Sequence, residues 1–282
     1  VTAGCSITEQ EYDAIRKLLL DQSAFVLELG KEYLVETRLA PIVRELQLGS
    51  IGELIARVRL QPNEQVCRQI VEAMVTTESS FFRDHHPFEA IGKVVLPDLI
   101  ERRSKERRLT IWSAASSTGQ EPYSVALLIR EHFPQLADWR ISIVASDLSR
   151  QVLERAREGR YSQLEVNRGL PAALLIKYFD QGGTDWQLKA EVRQMVEFHE
   201  LNLAKTWPPL PRMDLVLLRN VMIYFDLETK KNTLSKLERV LRPDGYLVLG
   251  SAESPWSLSN AYRRVDPLRA GVYQLAKSEQ GV

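Results

Sequence analysis

The stretch that decides the fold is LTIWSAASSTGQEPYSVALLIREHF, Leu109–Phe133, in which an apolar run turns through small residues between Ser113 and Ser124 into a helical run. A strand that passes through small residues into a helix makes the anion- and nucleotide-binding corner of an α/β sheet, because the first helical turn offers unpaired N–H groups. A dinucleotide fingerprint needs three glycines; this loop has only Gly119, so it is not shaped for close approach of a pyrophosphate. Ala114, Ala115, Ser116 and Ser117 still let a ligand lie against the backbone. Glu121 reads in two ways. It is either a first-turn acid that complements the helix dipole beside Pro122, or a carboxylate that repels phosphate and accepts an ammonium or sulfonium.

Downstream the alternation continues. ISIVASD (141–147) predicts a second strand and RQVLERARE (150–158) a helix capped by Ser149 and stopped by Gly159. Asp147 closes that strand, where an acid commonly accepts hydrogen bonds from ribose hydroxyls; the alternative is a plain turn acid ahead of Ser149. Residues from about 160 to 195 break the pattern with LPAALLIKYF and GGTDWQLKAEVRQM, which predict an inserted subdomain of one helix and a pair of short strands. VEFHELNL, MDLVLLRNV, a capped helix over 226–241, the turn RPDG, the strand YLVLGSAES and a last strand around GVYQLAK then complete the chain. Strands alternating with crossover helices predict a mostly parallel, doubly wound sheet.

Upstream, residues 1–75 read as an all-α domain of up to four helices. Ser6 or Thr8 with Glu9 or Glu11 forms a capping-box pattern, Ser50 with Glu53 caps a later helix, and Pro62 and Asn63 punctuate before the last. In 31–48, Leu34, Arg38, Ile42 and Leu46 share a face, and Pro41 bends or splits that helix. Residues 76–108 form a linker and connecting helix. In the linker, Phe81 and Phe82 are expected to plug a seam, and His85 and His86, being adjacent, to point differently without metal-ligand spacing, as residues of the surface or just behind a site. RRSKERR (102–108) reads as a solvated basic run or as a patch for an acidic partner.

The 282 residues carry 37 acidic and 37 basic side chains, a balance that gives no general attraction to nucleic acid or an anionic membrane. Cys5 and Cys67 have no metal or redox spacing, as expected in a reducing compartment. The longest apolar run, MDLVLLRNVMIYF, is shorter than a membrane span and contains Asp214 and Arg219, so a cytoplasmic, uninserted protein is expected. Two polar residues, Arg219 and Asn220, at the end of so apolar a strand call for partners.

TTESSFFRD, WSAASSTGQEPYS, VASDLS, ELNL and LLRNVMIYF, in this order and spacing, resemble the CheR-type chemotaxis receptor glutamate O-methyltransferases from the helical domain almost to the C-terminus. The resemblance implies a Rossmann-like S-adenosylmethionine-dependent methyltransferase domain over 109–282, preceded by the helical domain and carrying a small β-subdomain. It implies cofactor contacts from Thr77, Ser79, Arg83, Glu121, Asp147, Asn202, Leu203, Arg219 and Asn220. Arg83 and Tyr224 would position the target carboxylate, and no metal is called for. Thr77 stands where the family usually has Asn, Ser79 where it has Thr, Ser116 where Cys or Ala is common, and Gln120 where a second Glu is common. The implied partner is the cytoplasmic domain of a methyl-accepting chemoreceptor, met by a monomer. The segment after Gly182 is short for a subdomain that captures a receptor peptide as an added strand. A cofactor-binding interaction module without turnover is the alternative function, and a methyltransferase acting on a small molecule or nucleic acid is a third.

Overall fold

Thr8 opens the first helix through a capping box: its hydroxyl accepts the Glu11 N–H while the Glu11 carboxylate accepts the Thr8 N–H at 2.8 Å. The computed structural model describes residues 7–60, 63–265 and 270–276, so Cys5, Ser6 and Pro62 lie outside the described residues. The chain divides into two units. One takes residues up to Thr76 together with Tyr224–Thr229, and the other takes Thr77–Ile223 and the residues from Lys230 onward.

The first unit contains α1 (Glu9–Ser23), α2 (Glu32–Glu45), α3 (Ile51–Leu60) and α4 (Glu64–Met74). Tyr12, Ile15 and Leu19 of α1 and Ile70 and Met74 of α4 are buried at the spacing of one helical face. Pro41 lies inside α2 without splitting it, and the buried face is Val35, Leu39 and Ile42, one position round from the expected stripe. Arg38 is turned to donate to the Met74 carbonyl at 2.6 Å. Tyr224–Thr229 joins this unit because Phe25 bridges Phe225, the Val26 N–H reaches the Tyr224 carbonyl at 2.8 Å, and the Tyr224 ring stacks on Phe25 at 5.2 Å.

In the second unit, α5 (His86–Ala90) runs through a π-helical turn (Ile91–Val95) into α6 (Leu96–Arg102), where a regular helix was expected. The Leu96 N–H reaches back five residues to Ile91 just ahead of Pro97, which has no N–H to give. The sheet strands are β1 (Arg108–Ala114), β2 (Arg140–Asp147), β6 (Val196–Glu200), β7 (Met213–Leu218), β8 (Leu241–Leu249), β9 (Tyr262–Arg264) and β10 (Val272–Leu275). Their order is β6-β2-β1-β7-β8-β10-β9; the first five are mutually parallel, β10 pairs antiparallel with β8, and β9 pairs antiparallel with β10. Along β7 every side chain is buried, which is why its sequence reads as an unbroken apolar run. Helices α7 (Gln120–His132) and α8 (Arg150–Glu158) follow β1 and β2, and α12 (Leu227–Val240) precedes β8.

Between α8 and β6 the insert forms its own sheet, ordered β3 (Arg160–Ser162), β5 (Asp185–Leu188), β4 (Phe179–Gly182), with α9 (Gln163–Asn167), α10 (Ala172–Tyr178) and α11 (Ala190–Arg193). The third strand, unforeseen in the sequence, is the stretch around the buried Tyr161. The basic run 102–108 is not simply solvated. Arg103 is buried and donates to Asp214 at 2.7 Å and, bidentately, to Asp244 at 2.6 and 2.8 Å, which supplies the partners that the acid inside the apolar run requires. Arg102 pairs with Asp98, Arg107 with Asp138, and Glu106 with Arg242.

Candidate active site

Sheet order reverses between β1 and β7, and ligands of open α/β sheets bind outside the carboxyl ends of the strands at such a switch point. Glu121, Asp147, Asn202, Leu203, Arg219 and Asn220 lie at or just beyond these ends. Leaving β1, the Ser116 N–H donates to the Ser146 carbonyl at 2.8 Å. Gly119 then caps α7 with φ 91°. A Cβ there would lie 3.0 Å from both the Ala156 Cβ and the Tyr123 ring, so only glycine makes this entry.

Glu121 does more than complement a dipole. Its carboxylate accepts Ser113 Oγ at 2.8 Å and Arg219 Nη1 at 2.9 Å, which fixes both oxygens at the mouth of the sheet. Arg219, with a side chain 1% exposed, also donates Nη2 to the Arg83 carbonyl (2.9 Å) and to Asp84 (2.8 Å), and its guanidinium lies 5.5 Å from the Phe88 ring centre. The loop it holds is strained: Phe82, Asp84 and His85 all have positive φ, at 48°, 67° and 50°. Ser124 also clamps this loop, its hydroxyl accepting the Phe82 N–H at 2.9 Å.

At the end of β2, Asp147 accepts the Ser117 N–H (2.8 Å) and the Ser149 N–H (3.0 Å), so it binds its own corner as well as facing the strand end. The Leu201 N–H donates to the Asp147 carbonyl at 2.9 Å, which brings Asn202 and the buried Leu203 to the same edge. Asn202 Oδ1 accepts the Ala204 N–H, and the Leu203 carbonyl accepts the Trp207 indole N–H and the Lys236 ammonium. Thr77 is exposed and its carbonyl accepts Ser117 Oγ at 2.6 Å; Ser79 is half-buried. Arg83 turns back on its own loop, donating to the Glu78 carbonyl at 2.9 Å. Asn220 is left-handed (φ 58°) and half-buried, whereas Tyr224 belongs to the first unit.

Three features escaped sequence reasoning. Glu253, in the strand read as YLVLGSAES, is buried and takes four backbone N–H groups; an acid beside the small residues of a strand end was its only signal. Asp84 is a ligand of Arg219, which the FFRD string did not reveal. His85 and His86 are exposed and their rings stand at 88° to one another, as expected, but their ring nitrogens and a Glu89 oxygen lie within 4.8 Å of one another, because His85 stands outside α5 at positive φ. The Glu89 carboxylate is already shared between Lys93, at 2.5 Å, and His86. A cavity of about 640 Å³ lies farther along α7, between Phe82, Phe88, Leu128, Phe133 and Leu174, and neither Glu121 nor Asp147 lines it.

The acceptors at the strand ends suit a cationic, hydroxyl-bearing ligand such as S-adenosylmethionine better than a phosphate, since two of them are fixed carboxylates. A polar contact is also left open: Ser116 Oγ and Arg219 Nε are buried without a partner among the described residues.

The family descriptions "CheR methyltransferase, all-alpha domain" and "CheR methyltransferase, SAM binding domain" match residues 10–75 and 77–267. The chain is 37% identical over 269 residues to chemotaxis protein methyltransferase Cher2 of Pseudomonas putida, covering 94% of this chain and 97% of that one. It is 38% identical over 265 residues to chemotaxis protein methyltransferase 1 of Pseudomonas aeruginosa, covering 92% and 96%. It is 35% identical over 274 residues to chemotaxis protein methyltransferase 1 of Vibrio cholerae, covering 96% and 98%.

Proposed function

The chain belongs to the CheR methyltransferase family, and from that premise we propose that it esterifies glutamate side chains on the cytoplasmic domain of a methyl-accepting chemoreceptor. S-adenosylmethionine supplies the methyl as an activated sulfonium substituent and leaves as S-adenosylhomocysteine. The observation that carries this reading is Glu121, pinned by Ser113 and Arg219 at the switch point with Asp147 on the neighbouring strand end.

In this reading Glu121 receives the ammonium end of the cofactor and Asp147 its ribose hydroxyls. Thr77, Ser79, Asn202, Leu203 and Asn220 line the remainder. Arg219 acts chiefly by holding Glu121 and the Arg83–Asp84 loop in place. A glutamate carboxyl with a pKa of about 4.3 is ionised at neutral pH, so the chain has no proton to remove. Its task is to set one carboxylate oxygen in line with the methyl and exclude water. Arg83, with a planar fork of donors, is the group of the second unit proposed to orient that carboxylate. Donors that held it too tightly would quench the nucleophile.

The test is transfer of labelled methyl from S-adenosylmethionine to a purified receptor cytoplasmic fragment carrying its methylation-site glutamates or glutamines in their place. Base-labile label on the glutamate form alone is expected. Label on both forms overturns the assignment of the glutamates as acceptors, and label on neither of several receptor fragments while the cofactor still binds favours a non-catalytic interaction module.

A further inference from the structure

Glu253 is 7% exposed, and its carboxylate is spent on backbone. Oε2 accepts the N–H groups of Asn220 (2.7 Å) and Gly250 (2.8 Å), and Oε1 those of Val221 (3.0 Å) and Met222 (2.7 Å). Successive N–H groups converging on one point make an anion-binding nest, and here the anion is the chain's own side chain. The donors come from just beyond the carboxyl ends of β7 and β8, neighbouring parallel strands in register at Leu218 and Leu249. Gly250 is integral to the nest, since a Cβ there would lie 2.6 Å from Glu253 Oε2 and 2.9 Å from the Asn220 nitrogen.

What the nest holds is the turn that delivers two site residues. Asn220 is left-handed at φ 58°, a conformation asparagine adopts more readily than other non-glycine residues, and the N–H groups of Asn220, Val221 and Met222 are held in it by the Glu253 carboxylate. The residue before it is Arg219, whose guanidinium reaches Glu121 and Asp84. We propose that Glu253 is a positioning residue of the methyl-transfer site: by gathering the Asn220–Met222 N–H groups it fixes the turn that aims Arg219 at Glu121 and presents Asn220 to the cofactor. The proposal rests on the reading that Glu121 and its neighbours hold S-adenosylmethionine.

The two substitutions at this position differ in chemistry. Glu253→Gln keeps the shape but sets an NH2 group against two of the four N–H donors, whereas Glu253→Asp keeps both oxygens on a shorter arm. The experiment measures binding of S-adenosylhomocysteine by calorimetry for the wild-type chain, E253Q, E253D, E121Q and Y246F, with a melting curve for each. Tyr246 donates to Asp98 at 2.8 Å away from the strand ends, so Y246F reports what a comparable loss of stability does by itself. The expected result is a fall in affinity of about tenfold or more for E121Q and E253Q, a smaller fall for E253D, and wild-type affinity for Y246F. Wild-type affinity in folded E253Q or E253D, or an equal loss in Y246F, overturns the positioning role while E121Q still reports on the cofactor site. Wild-type affinity in E121Q overturns the cofactor reading itself. If E253Q does not fold, E253D carries the comparison.

Discussion

Arg219 and Glu121, 98 residues apart in the chain, meet at 2.9 Å at the carboxyl ends of adjacent parallel strands, and the other arm of the same guanidinium grips Asp84. One planar fork therefore joins the carboxylate assigned to the cofactor with the loop that carries Arg83. Lysine keeps the charge but has no second arm. We expect R219K to lower S-adenosylhomocysteine affinity and methyl transfer by about tenfold or more and to cost about 1–3 kcal/mol of stability, as a buried charged hydrogen-bond network is cut. Calorimetry and denaturant titration on the same preparation check both. Unchanged affinity would remove Arg219 from the site.

Ser116 supplies a test in which stability and binding move in opposite directions. Its hydroxyl is buried without a partner among the described residues, and leaving such a group unpaired costs about 1–3 kcal/mol. S116A should therefore melt at or above the wild-type temperature without ligand. If the cofactor supplies the missing partner, S116A should bind S-adenosylhomocysteine several-fold more weakly and gain less stability from saturating ligand. Equal binding by both chains would mean that the hydroxyl faces nothing.

The fold was legible where local pattern and tertiary placement agree. The apolar run into Gly119, the Ser149 and Gly159 stops around α8 and the Thr8–Glu11 box all appear where the sequence places them, because each rests on contacts within a few residues. The motif strings also singled out Glu121, Asp147 and Arg219, which lie together at the carboxyl ends of the central strands. What could not be read were partnerships across long chain separations. Arg103 looks solvated in a run of charges, yet it is buried by Asp214 and Asp244, more than 100 positions away. Glu253 is one acid among small residues until β7 and β8 bring their N–H groups to it. Short β9 has too few residues to carry a period, and the π turn before Pro97 leaves the helical pattern almost unchanged.

The Arg103 cluster predicts how the chain responds to acid. Hydrogen bonding to Arg103, then the charge of that guanidinium, holds the Asp244 carboxyl below its usual range, and pairing with Arg242 does the same for Glu106. Because these pKa values are depressed in the folded state, the unfolded chain takes up the protons first as pH falls. Their stabilisation is thus complete above the ordinary carboxylate range, about pH 4, and is lost as pH drops through the folded values. D244N has no such proton to take up. We expect it to be less stable at neutral pH and to show a shallower loss of stability between about pH 5 and 3, in denaturant titrations run across that range. Parallel wild-type and D244N profiles would place the acid sensitivity elsewhere.

Gly119 decides whether the corner can form at all. Its φ of 91° is costly for any side-chain-bearing residue, and a Cβ would press at 3.0 Å on Ala156 and Tyr123 and at 3.3 Å on Phe198. Tyr123 does not move easily: it is fully buried, its hydroxyl is bound to the Ala156 carbonyl at 2.7 Å, and its ring packs edge-on to Phe198. G119A should cost about 1–3 kcal/mol from backbone conformation, with a further packing penalty of similar size. The strain lies two residues from Glu121, so surviving folded protein should also bind S-adenosylhomocysteine more weakly than its loss of stability alone explains. Titrating ligand at a temperature where both chains are fully folded separates the two effects. A stable G119A chain with wild-type affinity would show that the turn tolerates a side chain and that its shape is not what places Glu121.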